Sequence, residues 1–124
     1  MIVDDHAPAR EMIRQFLSLP GVTFCECSSG EEALQRVREF KPHWVTMDMS
    51  MPGLNGFQTT QALRAEHPAA RVIILTSYPE EHYRQLSREA GAVALIQKDN
   101  LMALHIMLAR EMGHSPASPP PATA

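Results

Sequence analysis

Two rhythms of apolar and polar residues alternate along this chain. Short apolar runs stand at 1–3 (MIV), 22–27 (VTFCEC), 43–48 (HWVTMD), 71–77 (RVIILTS) and 92–98 (AVALIQK). Their length and their content of β-branched residues predict strands. RVIILTS is apolar almost throughout, as expected of a strand covered on both faces. Between these runs the apolar positions recur with a helical period. APAREMIRQFLSL (7–19) places Met12, Ile13, Phe16 and Leu17 at that spacing, with Pro8 tolerable in a first turn, and LPG closes it. SGEEALQRVREF (29–40) opens on Ser29 with Glu32 three residues on, the pattern of a capping box, and carries Ala33, Leu34, Val37 and Phe40 as its stripe. GFQTTQALRAEHP (56–68) predicts a third helix ending near Pro68. PEEHYRQLSREAG (79–91) predicts a more polar fourth, from Pro79 to Gly91, and NLMALHIMLAREMG (100–113) a fifth.

Five βα units in regular alternation predict an α/β fold: a parallel sheet with helices on both faces, three layers in all. The expected form is the flavodoxin-like (βα)5 sandwich with strand order 2-1-3-4-5. Such sheets bind ligands beyond the carboxyl ends of their strands. The length of 124 residues fits one domain. Residues 1–112 carry the alternating pattern. Residues 113–124 are rich in Pro, Ala and Ser with almost no charge, and are expected to be a disordered tail or the start of a linker.

Composition narrows the function classes. A 44% hydrophobic and 20% charged chain is ordinary for a globular domain. The net charge is −3 and the eleven Lys and Arg are scattered, so no basic patch for nucleic acid is expected. No apolar run reaches the length of a membrane span. The acids of MIVDDH stand where a signal peptide would need a basic and then an apolar segment. Cys25 and Cys27 share one face of a strand, but no second Cys or His pair follows to complete a zinc site. They read as small buried or half-buried residues of a reduced, cytoplasmic protein. The histidines show no metal-ligand spacing, His6 reads as a loop or helix-start residue, and the eight methionines read as packing residues.

The chemistry gathers at the strand ends. The first strand ends on Asp4 and Asp5, the third on Asp48, the fourth on Thr76 and Ser77, and the fifth on Lys98. In the order 2-1-3-4-5 the first and third strands are neighbours, so three carboxylates share one corner. Like charges that close raise one another's pKa or require a cation. A hard divalent ion suits them, and Mg²⁺ fits a partly hydrated site with a few carboxylates. Lysine, hydroxyl and metal around a carboxylate nucleophile are the parts that place and stabilise a transferring phosphoryl group.

The chain resembles a receiver domain of the two-component response regulators. The resemblance covers residues 1 to about 112 and rests on VDDH (3–6), MDMSMPGLNG (47–56), ILTS (74–77) and GAVALIQKD (91–99). VDDH followed by Arg10, with KD at the end, is closest to the branch that usually carries a C-terminal helix-turn-helix output domain. The resemblance implies that Asp48 is the phosphoacceptor and takes its phosphoryl group from the phosphohistidine of a sensor histidine kinase or a phosphotransfer protein. It implies Asp5 as direct Mg²⁺ ligand, Asp4 as the acid holding the ion's waters, and the backbone carbonyl of Ser50 as a further ligand. Lys98 matches the lysine that pairs with the acceptor, Thr76 the switch hydroxyl, and Pro52, Gly53 and Gly56 the loop shaping the site. It implies a signalling acceptor rather than an enzyme acting on other substrates, and allows a homodimer.

Two departures stand out. Leu95 occupies the place, three residues before Lys98, where the family usually has Tyr or Phe. The first strand is also short, since only three residues precede Asp4. They favour the competing reading, a receiver-like interaction module that acts without phosphorylation. An FMN-binding or phosphohydrolase role fits less well. Acids occupy the loop after the first strand, where a flavin phosphate would sit, and Ser50 stands where a phosphohydrolase would need a second Asp.

Overall fold

A computed structural model describes residues 1–113. Its five strands are β1 (Ile2–Val3), β2 (Glu26–Cys27), β3 (Trp44–Asp48), β4 (Arg71–Thr76) and β5 (Ala94–Gln97). They form one parallel sheet in the order β2-β1-β3-β4-β5, as the βα alternation predicts. The helices are α1 (Ala7–Phe16), α2 (Gly30–Phe40), α3 (Gly56–Glu66), α4 (Arg84–Ala90) and α5 (Leu101–Glu111).

The period of two along each strand divides its side chains between two cores. Val3, Val45, Met47, Val72 and Ile74 pack with Ala33 and Val37 of α2 and Leu63 of α3. Ile2, Ile73, Leu75 and Ile96 pack on the other face with Ile13 of α1 and Leu101, Leu104 and Leu108 of α5. This is why β4 reads as an unbroken apolar run: both of its faces are covered.

Several elements differ from the sequence expectation. VTFCEC predicts a strand of six residues, yet only Glu26 and Cys27 are register partners of β1, with the Cys25 carbonyl accepting the Ile2 N–H at 2.8 Å. A strand extends only as far as its neighbour, and the short β1 offers two partners, Ile2 to Glu26 and Val3 to Cys27. The same two residues pair with Thr46 and Met47 of β3, so β1 still bridges its neighbours at the carboxyl end. Past its other end lies a cavity of about 610 Å³, lined among others by Leu17, Phe24, Trp44 and Leu108. The fourth helix divides. A single 3₁₀ turn spans Glu80–His82 and α4 begins at Arg84, with Tyr83 between them at φ −126°. Gly91 closes α4 in the left-handed region at φ 98°, as its position predicts.

Ser29 caps α2 by accepting the Glu32 N–H at 3.0 Å. The Glu32 carboxylate takes the Ser28 N–H at 2.6 Å instead of the cap residue's own, so the predicted box is only half made. A complete box forms at α3, between Asn55 and Gln58. Cys25 and Cys27 are buried free thiols. Met47, Met49 and Met51 are core residues, whereas Met12, Met102 and Met112 are exposed, so the packing reading holds for only part of the set. From residue 114 on, the tail expected at 113–124 lies outside the described residues. Among the described residues no helix is long and apolar enough to cross a membrane.

Candidate functional site

The apolar run of β3 carries Asp48 to the carboxyl edge of the sheet and leaves it 6% exposed. Asp4 follows β1 and is fully buried, while Asp5 beside it is exposed. One carboxylate oxygen from each of the three lies within 4.8 Å of the others. Lys98, directly after β5, places its ammonium between two of them: Nζ is 3.0 Å from Asp4 Oδ2 and 2.9 Å from Asp48 Oδ1.

Asp4 is fixed from several sides. Its Oδ1 accepts the His6 N–H at 2.9 Å. Its backbone carbonyl accepts from Arg10 Nη1 at 2.7 Å, and Arg10 Nε in turn donates to Glu26 of β2 at 3.1 Å. His6 takes part through its main chain only; its side chain makes no cap, and the residue is an exposed start to α1, as its position predicts.

The loop after Asp48 must return closely past it. Gly53 sits at φ 76°, in the left-handed region. A side chain at Gly56 would run into the Asp48 carbonyl oxygen and the Met49 Cα. Gly56 N–H donates to Met49 O at 2.9 Å and ties off the loop. A cleft of about 280 Å³ opens over the corner, lined by Asp4, Asp5, Asp48, Ser50, Tyr78 and Lys98 among others.

Five of the six predicted site residues therefore meet in one cleft. Thr76, at the end of β4, is fully buried and does not line it. Its hydroxyl oxygen accepts the Tyr78 N–H at 2.9 Å. Leu95 is half-buried and packs in the same core as Phe57 and Tyr83. Sequence reasoning missed Gln97, whose side-chain amide donates to the Tyr78 carbonyl at 3.0 Å. The signal for it was a polar residue closing the apolar run just before Lys98. It also missed the role of Arg10, legible only once β2 and the first βα turn lie side by side.

Burial pushes the Asp48 carboxyl above its ordinary value. The hydrogen bond from Lys98 opposes this, and the charge of Asp4 adds to it. Burial also works against the Lys98 ammonium, but its hydrogen bonds and ion pairs with Asp48 and Asp4 outweigh that and hold its pKa above 10.5. Three carboxylates face one ammonium, so the corner keeps excess negative charge. The donors are oxygens, one of them on an exposed residue, and that set fits a hard, partly hydrated divalent cation.

The family model described as response regulator receiver domain matches residues 1–109. The chain is 35% identical over 127 aligned positions to the transcriptional activator protein ExaE of Pseudomonas putida, covering 99% of this chain and 59% of that protein. It is 31% identical to the nitrate/nitrite response regulator protein NarL of Escherichia coli, covering 97% of this chain and 59% of that one. The chain thus spans under two thirds of the length of these relatives. Among solved structures it is similar to a two-component response regulator of the LuxR family from an Aurantimonas species. That match has a TM-score of 0.80 and 29% identity, and covers 92% of this chain and 84% of the other.

Proposed function

This chain belongs to the response regulator receiver domain family, and from that premise we propose that it accepts a phosphoryl group on Asp48 and switches conformation to control an output domain or a partner. The observation carrying this reading is the Lys98 ammonium held between the buried Asp4 and Asp48 carboxylates, with Asp5 in reach, in a cleft at the strand ends.

The donor is the phosphohistidine of a sensor histidine kinase or phosphotransfer protein. An Asp48 carboxylate oxygen attacks phosphorus in line. The P–O bond forms as the P–N bond breaks, and the imidazole nitrogen leaves with the bonding pair and takes up a proton from water, ending as neutral histidine. Lys98 stays beside the acceptor and meets the new negative charge on the phosphoryl oxygens. Hydrolysis of the acyl phosphate returns Asp48 and inorganic phosphate, so no other substrate is turned over.

Mg²⁺, when bound, would neutralise charge on the transferring group. The residues that would hold it are Asp4, Asp5, Asp48 and the Ser50 carbonyl. Both Asp4 oxygens already have partners, His6 N–H and Lys98 Nζ. That supports Asp4 acting through water and the exposed Asp5 as the direct ligand. Thr76 is the switch hydroxyl. The doubly charged phosphoryl group then biases the segment that Thr76 holds. The partners are the phosphodonor protein and a DNA-binding output domain, in a cytoplasmic pathway of transcription control.

The test is incubation with Mg²⁺ and a small phosphodonor, followed by intact mass measurement. One phosphate adduct is expected, and none in Asp48→Asn. An unmodified wild type, or an adduct that persists in Asp48→Asn, refutes the reading. Leu95 in place of a ring favours a second reading, an interaction module indifferent to phosphorylation. Equal partner affinity for wild type and Asp48→Asn would support that one.

A further inference from the structure

We infer that Gln97 is the catch of a latch that holds the segment after β4 over the Thr76 hydroxyl, and so limits how tightly the site takes a phosphoryl group. This rests on the phosphoacceptor reading of Asp48.

Gln97 and Thr76 are register partners across β4 and β5, so the amide reaches over from the strand position directly opposite. Its Nε2 donates to Tyr78 O at 3.0 Å. The same peptide segment is bound to Thr76, whose Oγ1 accepts the Tyr78 N–H at 2.9 Å and lies 3.5 Å from Tyr78 O. The Tyr78 ring, though Tyr78 is half exposed, is packed on one side. It packs at 55° on Tyr83 with centroids 5.9 Å apart, and Tyr83 stacks on Phe57 of α3 at 6.2 Å. Tyr78 is thus held by Gln97 and Thr76 at its main chain and packs on Tyr83 along one side of its ring.

A phosphoryl oxygen on Asp48 would take the Thr76 O–H as its donor, a proton that the bond from the Tyr78 N–H does not use; what stands in the way is position, since the hydroxyl is turned to Tyr78 and lies outside the cleft. To donate to the phosphoryl oxygen, Thr76 must turn away from the Tyr78 peptide, and the segment must shift or lose a partner. The latched state is then the one with low phosphoryl affinity. Apparent affinity falls by the fraction of molecules that are latched. Gln97 stabilises only the latched state, so removing its amide shifts the population toward the state that binds. Leu95 has no ring to turn, and the Tyr78–Tyr83–Phe57 stack is a packed route from the segment after β4 to α3.

The experiment is a calorimetric titration of beryllofluoride, with Mg²⁺ present, into the wild type, Gln97→Ala, Gln97→Met, Thr76→Val and the Gln97→Met/Thr76→Val double variant. Gln97→Met keeps the side-chain length without the donor and serves as the packing control. Both Gln97 variants are expected to bind about two- to five-fold more tightly, the range one partly exposed hydrogen bond supplies. A merely structural role would weaken binding instead. In the Thr76→Val background the Gln97 substitution is expected to change nothing. Wild-type binding with unchanged or weaker binding by both Gln97 variants overturns the latch and leaves the phosphoacceptor reading standing. The same holds for equal tightening with and without the Thr76 hydroxyl. A folded wild type that takes no beryllofluoride removes the phosphoacceptor reading and the latch together.

Discussion

The folded chain binds a proton at Asp48 more tightly than the unfolded chain does, because burial disfavours its carboxylate and the Asp4 charge adds to this, against the pull of Lys98. The sign of the pH dependence follows. A carboxyl raised above its ordinary 3.8 costs stability once it ionises. Its contribution is therefore lost as pH rises from that value through the raised one. In metal-free buffer, Asp48→Asn is expected to melt a few degrees above wild type at pH 7. Thermal melts across pH should show the gap closing toward low pH. A neutral-pH melt below wild type would mean that the Lys98 pairing outweighs the burial cost. Asp48 would then support the fold through that pair.

At the scale of elements, the site depends on how closely the β3–α3 loop returns past Asp48. Gly56 makes that approach, and any Cβ there meets main-chain atoms of Asp48 and Met49 that cannot rotate away. Gly56→Ala is expected to cost about 1–3 kcal/mol in denaturant unfolding, the usual range for overpacking. It should also slow phosphodonor labelling, because the displaced atoms belong to the proposed acceptor, Asp48. The loop after β4 shows how elements share a task. The predicted fourth helix opens as a 3₁₀ turn, and Tyr83 at the break places its ring between Tyr78 and Phe57. A periodic pattern reports where a helix is favourable. It does not report where one ring's packing interrupts it.

At the scale of the whole molecule, the excess negative charge is a stability deficit that a bound cation would relieve. A ligand held only by the folded state, at one hundred times its Kd, adds about 2.7 kcal/mol. Mg²⁺ is therefore expected to raise the melting temperature of the wild type. The gain should shrink in Asp5→Asn, and should fade as pH falls and the raised Asp48 carboxyl takes a proton. Scanning calorimetry with and without Mg²⁺ checks this. An equal gain in Asp5→Asn would place the ion elsewhere. The two cores flanking the sheet supply the rigidity against which this corner is held.

The sequence by itself determined the βα alternation, the layers and the positions of Asp4, Asp5, Asp48, Thr76 and Lys98 at strand ends. Those follow from local periodicity and from where each apolar run stops, which neighbouring residues alone encode. Tertiary structure decided what depends on distant partners. β2 shrank to two residues because its length is set by β1, twenty-odd residues away in sequence. Lys98 came to bridge Asp4 as well as Asp48 because the chain ends of three strands converge. Thr76 turned its hydroxyl to Tyr78 rather than into the cleft, and Gln97 gained a partner, because β5 lies beside β4. No pattern along the chain records these contacts, since each is a hydrogen bond or an ion pair between residues that only the sheet brings together.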